Sequence, residues 1–220
     1  MKPRILYFDI RGRAEPLRLL LEDVGVEFTD HQVTLEQWPE IRDSTPFGRM
    51  PVYSEGELEI PESFAIMHYL GRKHGLLGAD EAARVRCDVT IEAWRDYSNR
   101  VANTFGALST SQSAREAFVE TEQPALLADL EAFYLANPSG APFWAGDSPT
   151  IADYAAFHLI EGVAGRFPEL FTRLVGLQKF YEQFSQRPRI RAYLASSRRP
   201  TALFYGPNGK IYPHEPPKVD

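Results

Sequence analysis

The chain has 220 residues, a formal net charge of −6 at pH 7, 44% hydrophobic and 25% charged residues. That length holds one large or two small domains with a well-buried core, and the acidic balance argues against a nucleic-acid or anionic-membrane surface. The single cysteine, Cys87, rules out an internal disulfide and fits a reducing compartment; no signal-peptide pattern and no apolar run of ~20 residues occurs, so the expected location is the cytosol.

Residues 1–76 alternate short β-like runs with helical ones, the pattern of an α/β unit. Arg4 to Phe8 is a predicted strand. The next segment places Leu17, Leu20, Leu21 and Val24 at helical spacing, with Pro16 in the first turn and Gly25 as the stop. Phe28 to Val33 reads as a second strand, parallel to the first through a right-handed crossover. A polar segment from Trp38 to Arg49 follows, then Pro51-Val52-Tyr53 and Leu58-Glu59-Ile60 flank a Gly56 turn as an antiparallel hairpin. Ser63 to His74 is a predicted helix stopped by Gly75, and 77–80 is a predicted linker.

From residue 81 to about 200 the pattern is helical almost throughout, an all-helical domain of about five helices. Pro124 predicts a kink or break inside one of them. Thr150-Ile151-Ala152-Asp153 puts a hydroxyl at N-cap and a carboxylate at N3, a strong helix start. Cys87 reads as a small packing residue, and Arg187, Arg189, Arg191, Arg198 and Arg199 as the solvated face of a last helix. The tail, 201–220, is rich in proline and carries Gly206-Pro207-Asn208-Gly209, so it is expected to be irregular, with Phe204, Tyr205 and Tyr212 available to dock over a ligand. The fold expected is an α/β N-terminal domain with a mixed four-stranded sheet followed by an all-α domain.

No glycine-rich nucleotide fingerprint, serine-nucleophile elbow, HExxH or paired CxxC occurs, and the five histidines lack metal-ligand spacing. No metal site is expected. What stands out is Tyr7 at a strand end, beside Gly12, Arg11 and Arg13. A phenol there can donate to a negative sulfur, and neighbouring guanidiniums favour the charged form, so a bound thiol would ionise more easily. Taken alone, Tyr7 reads equally as the last residue of a buried strand. Three further pieces give it company. A cis Met50–Pro51 bond would turn the Met50 main chain outward to pair with an extended peptide. Glu62-Ser63 at a helix N-terminus can hold a carboxylate, and Trp38 with Arg42 supplies an indole donor and a cation for a second one. Together they outline a groove for a small anionic peptide.

From about residue 3 to about residue 198 the chain resembles the cytosolic glutathione transferases. It looks most like their sigma class, through Tyr7-Phe8-x-x-Arg11-Gly12-Arg13-Ala14-Glu15, Trp38-Pro39-Glu40-Ile41-Arg42 and Pro46-Phe47-Gly48-Arg49-Met50-Pro51. The resemblance implies a thioredoxin-like N-terminal domain, a helical C-terminal domain, glutathione as co-substrate and a homodimer. It makes Tyr7 the donor to the glutathione thiolate, with Arg13 supporting it. Trp38 and Arg42 then meet the glycyl carboxylate, Met50 between Arg49 and Pro51 meets the cysteinyl backbone, and Glu62 with Ser63 meets the γ-glutamyl end. Asp96 falls where family members reach into the partner's site, and Phe47 where they place an interface aromatic. Glu62 departs from the usual Gln, and Arg95 interrupts the acidic run Glu92 to Asp96 where some sigma-class members bind a cation. The electrophile pocket is expected to use Phe8, Ile10, Phe105 and Phe204 or Tyr205. The activity implied is conjugation of glutathione to apolar electrophiles; glutathione-dependent isomerisation or peroxide reduction, and a non-catalytic binding or structural role, are the rivals on the same fold.

Overall fold

The computed structural model describes residues 2–106, 111–138, 140–205 and 211–213, with Tyr205 and 211–213 described by their backbone alone. β1 (Arg4–Phe8) is central in a four-stranded sheet of order β2-β1-β3-β4 and has its three middle residues buried, which is why it reads as a continuous apolar run. It pairs in parallel with β2 (Thr29–Val33), Tyr7 opposite Gln32, and antiparallel with β3 (Val52–Glu55), Ile5 opposite Tyr53. The crossover between the parallel strands is α1 (Glu15–Val24), closed by Gly25 at φ 74°, whose N–H bonds the last carbonyls. β3 returns through Gly56, at φ 63°, into β4 (Leu58–Pro61). Between β2 and β3, the segment expected only to be polar forms α2 (Trp38–Ile41) and two single 3-10 turns. α3 (Ser63–His74) ends on Gly75 at φ 70°.

The helical half opens with α4 (Glu81–Phe105), capped by Asp80, whose carboxylate accepts from Ala83 N–H at 2.8 Å. α5 (Gln112–Ala117) runs through a π-helical turn at Phe118–Glu122 into α6 (Gln123–Leu135). Pro124 has no N–H to give to the preceding turn, and the π turn just before it absorbs the mismatch without ending the rod. α7 (Ile151–Arg166) is buried on nearly every side. Asp153 receives Trp144 N–H at 2.9 Å and Thr150 N–H at 2.7 Å, so the expected start signal also ties down the preceding loop. α8 (Pro168–Phe171), α9 (Val175–Ser185) and α10 (Pro188–Leu194) complete this half. Counting α5 to α6 as one bent rod, the long helices number five among the described residues, with α8 an added single turn.

One apolar core joins the halves, running from Ile5, Leu17 and Leu20 through Ile91 and Trp94 to Phe157 and Phe184. Trp144 packs edge-on against Trp94 at 5.5 Å and Phe180 at 5.9 Å. Cys87 is fully buried in it, and burial pushes its thiol up to about 11, so it packs and does not attack at neutral pH. Among the described residues no helix is long and apolar enough to cross a membrane.

Two expectations about the C-terminus are corrected. The tail is not wholly irregular: β5 (Ala202–Tyr205) pairs antiparallel with β6 (Ile211–Pro213), and Arg11 N–H donates to Ala202 O at 2.8 Å, docking β5 on the turn after β1. Gly206 to Gly209, and the Tyr205 and Tyr212 side chains, lie outside the described residues. Nor are the late arginines uniformly solvated. Arg189, Arg191 and Arg198 are exposed, but Arg187 binds Asp23 at 2.7 Å and Arg199 is buried. Arg199 lies beyond α10, where helical periodicity no longer reports on facing.

Candidate active site

A cleft of about 320 Å³ opens at the C-terminal edge of β1. It is lined by Phe8 from β1, Arg13 from a 3-10 turn (Gly12–Ala14), Trp38 from α2, Gly48, Arg49, Met50 and Pro51 before β3, and Glu62 and Ser63 at the start of α3. Four stretches distant in sequence thus converge, and the Met50–Pro51 bond is cis. Among the described residues only Phe47 (φ 58°) and Glu62 (φ 68°) are non-glycines at positive φ. Such backbones cost on the order of 1–3 kcal/mol and cluster at ligand sites. Glu62 makes no side-chain cap on α3, so the first-turn N–H groups beside buried Ser63 face the cleft without one. Two expected residues lie elsewhere. Arg42 does not line this cleft; its side chain packs against Gly48. Asp96 lines a neighbouring depression with Arg13, Arg49 and Glu62, and its carboxylate binds Arg100 at 2.8 Å. Phe47 is 77% exposed.

Tyr7 is buried, and its hydroxyl oxygen accepts Arg13 N–H at 3.0 Å. Burial raises its pKa, opposed by that backbone N–H and by the charges of Arg13 and Arg18, so the phenol is protonated at neutral pH. Its proton has no acceptor among the described residues and is available to an anion. Gly12 makes the close approach possible: a Cβ there would sit 2.6 Å from the Tyr7 hydroxyl. One of the guanidiniums read beside Tyr7 is not there. Arg11 points away, to Pro200 O at 2.9 Å and Glu161 at 3.4 Å, while Arg18, from α1, lies 5.9 Å over the Tyr7 ring.

A second cavity of about 490 Å³ adjoins the first and shares Phe8, Arg13 and Trp38 with it. Tyr7 and Ile10 form its floor at the sheet, Tyr97 to Phe105 of α4 one wall, and Leu203 and Phe204 of β5 another. Phe8, Ile10, Phe105 and Phe204 are thus brought together around this one cavity, and Phe105 meets Phe204 at 6.3 Å. The wall from α7, with His158, Gly162 and Arg166, and Gln123 from α6, were not anticipated. Their spacing of four along α7 was visible as a helical stripe, but nothing in the sequence distinguished it from core.

Behind this cavity lies a cluster of buried charge. Arg199 binds Glu15 at 2.6 Å and Glu161 at 3.0 Å through Nη1 and again through Nη2, Arg18 binds Glu15 at 3.5 Å and Asp30 at 3.0 Å, and Arg11 reaches Glu161. Burial pushes the Glu15 carboxyl up, but Arg199 and Arg18 overcome this and hold it at about 2. His158, next to the cluster, is pushed down to about 4 by burial and is neutral at pH 7. Outside the cavities, Arg95 pairs with Glu92 on α4. No group of three or more His, Cys, Asp or Glu side chains among the described residues converges as metal ligands would.

Comparison with known proteins follows the same division. Residues 3–72 match the glutathione S-transferase N-terminal domain and residues 95–197 the glutathione S-transferase C-terminal domain. A Caenorhabditis elegans protein named glutathione S-transferase P is 34% identical over 88% of this chain and 92% of its own. A Dirofilaria immitis glutathione S-transferase is 30% identical over 96% of this chain and 100% of its own. The solved structure of a Fasciola hepatica sigma class glutathione S-transferase has a TM-score of 0.82 at 28% identity, covering 92% of this chain and 99% of that one. The chain belongs to the glutathione S-transferase family.

Proposed function

We propose that the protein conjugates glutathione to apolar electrophiles, with the tripeptide in the smaller cleft and the electrophile in the larger cavity. One observation carries this reading: the two cavities meet at Phe8, Arg13 and Trp38, and the buried, protonated Tyr7 lines the larger one, its hydroxyl held by the N–H of shared Arg13 and its proton without an acceptor among the described residues. Tyr7 donates to the glutathione sulfur and favours the thiolate. The sulfur then bonds to the electrophilic carbon, either displacing a leaving group with its electron pair or adding across a polarised double bond. Arg13 holds the Tyr7 oxygen through its N–H and braces α4 by donating to Asn99 Oδ1 at 2.9 Å. Met50 offers its main chain to the cysteinyl backbone, and Glu62 and Ser63 hold the γ-glutamyl end with the first turn of α3. Trp38 takes the glycyl carboxylate, for which Arg49, on the cleft wall, is better placed than Arg42. The working form is a cytosolic homodimer, in which exposed Phe47 enters the partner and Asp96 reaches the partner's γ-glutamyl amine.

Tyr7→Phe tests this. A hydrogen bond to a charged group is worth ~1.5–3 kcal/mol, or about one to two pKa units. At an unperturbed thiol pKa of ~8.5 only a few per cent is thiolate at pH 7, so losing the donor lowers kcat/KM roughly tenfold or more there. The deficit vanishes at alkaline pH, where the thiol ionises unaided. Unchanged rates at pH 7 with glutathione still bound would remove Tyr7 from the chemistry.

A further inference from the structure

Arg11 opens the turn that carries Gly12 and Arg13, yet it lines neither cavity. It is buried and tied at both main chain and side chain. Its N–H donates to Ala202 O at 2.8 Å, its Nε to Pro200 O at 2.9 Å, and its Nη1 meets Glu161 at 3.4 Å. Its carbonyl receives Glu15 N–H at 3.0 Å and Arg18 Nη1 at 3.2 Å. The residue is therefore gripped from two sides, by the C-terminal segment and by α1.

Two residues on, Arg13 N–H meets the Tyr7 hydroxyl oxygen at 3.0 Å, and Gly12 between them sits at φ 40°. Glycine is the residue with the widest backbone freedom, so nothing inside the turn itself fixes where the Arg13 N–H points. The fixing comes from its ends. An N–H given to the phenol oxygen polarises the O–H, so the quality of that bond sets how well Tyr7 donates onward. The charges acting on Tyr7 are those of Arg13 and Arg18, so Arg11 reaches it through position rather than through field.

The two acceptors of Arg11 are themselves clamped. Arg199, next to Pro200, binds Glu15 at 2.6 Å and Glu161 at 3.0 Å. Leu203, next to Ala202, packs on Gly162 of α7, where a Cβ would lie 3.6 Å from it, and Phe204 meets Phe105 of α4 at 6.3 Å.

We propose that Arg11 is a positioning residue for the thiolate chemistry: held by Pro200 and Ala202, it keeps the Arg13 N–H on the Tyr7 oxygen, so that a C-terminal segment whose described residues line no part of the smaller cleft sets how strongly Tyr7 donates. The inference rests on the transferase reading, which supplies the glutathione sulfur as the acceptor.

The experiment compares the wild type with Arg11→Met, Arg11→Lys and Leu203→Gly, all in the full chain. One readout is the ultraviolet titration of the bound thiolate at saturating glutathione. The other is hydrogen exchange across Asp9 to Ala14, read by mass spectrometry without any ligand. Arg11→Met removes the donor to Pro200 O, and Leu203→Gly unseats the strand that carries Ala202 O. Each lowers the thiolate fraction at pH 7 roughly fivefold, the strength of one neutral hydrogen bond, and kcat/KM falls with it and recovers at alkaline pH while KM for glutathione holds. Exchange at the turn amides rises roughly tenfold as the turn opens more often. Arg11→Lys, which still offers a cation and a donor, restores most of the thiolate. A folded Arg11→Met with wild-type thiolate fraction and exchange overturns the proposal; should thermal melting show that it does not fold, the same result in Leu203→Gly overturns it. If the wild type binds glutathione without ionising or consuming it, the transferase reading fails, and the exchange arm alone decides whether Arg11 holds the turn.

Discussion

Replacing Arg199 by methionine removes the central cation of the buried cluster while keeping most of the side-chain volume. Glu15 is fully buried and Glu161 nearly so, and Arg199 binds both. Glu15 is held at about 2 against an ordinary value of 4.5, which corresponds to about 3 kcal/mol of folded-state stabilisation. Arg199 is the largest attractive cause of that depression, and breaking a buried pair from one side typically costs ~3–5 kcal/mol because the stranded charge remains. Arg18 and Arg11 still face the two carboxylates, so the lower part of the range applies. For a chain of this size each kcal/mol moves the melting temperature by ~2–4 °C, giving a fall of roughly 6–12 °C at pH 7. The pH dependence follows from the direction of the shift. Glu15 has a folded pKa below its unfolded one, so its contribution is complete above about pH 4.5 and is lost as pH falls towards 2. In Arg199→Met the carboxyl titrates higher, and protonation relieves the stranded charge, so the gap to wild type is widest at neutral pH and narrows below about pH 5. Calorimetric melts from pH 4 to 8, with Glu161→Gln added to the variant, read this directly. A deficit that does not change with pH, or no deficit, would show that these ion pairs do not hold the helical half against α1.

Two further changes probe the site and the fold. Gly12→Ala places a methyl 2.6 Å from the Tyr7 hydroxyl on a backbone at φ 40°. The phenol must move, and conjugation should fall about tenfold or more, with a stability loss of only ~1–2 kcal/mol; full activity would mean that the Tyr7 position is not critical. Asp153→Ala leaves the Trp144 and Thr150 N–H groups unpaired inside the core, a cost of about 2–4 kcal/mol read from chemical denaturation. A loss under 1 kcal/mol would show that water reaches those groups.

The fold was legible where local rules act. β1, the Gly25 and Gly75 helix stops, the Gly56 hairpin and the Asp153 carboxylate each follow from periodicity or from a backbone position that few residues tolerate. The small cleft was legible for a related reason: its residues sit at strand ends and helix starts, where sequence position fixes location. That Arg42 lies off the cleft was not legible, because one turn of helix and a 3-10 turn decide which cation faces it, and neither carries a periodic signal. The second cavity was legible only in part, through Phe8, Ile10, Phe105 and Phe204. His158, Gln123 and Arg166 lie on helices whose apolar neighbours make them look like core, and only packing reveals the space beside them. Arg199 was misassigned because burial of an arginine depends on two carboxylates, 184 and 38 residues away.

The docking of β5 on the turn after β1 has a temporal meaning. Every residue of the small cleft lies between Phe8 and Ser63, and its framework ends at His74. The larger cavity requires α4, α7 and finally Leu203 and Phe204. During synthesis the first half emerges, and can begin to fold, well before the second is made. Until Arg199 arrives, Glu15 lacks its main cation, and until Ala202 arrives, the amide of Arg11 lacks its acceptor. The nascent protein thus has the residues of the smaller cleft early, and the larger cavity beside it is closed last, by β5.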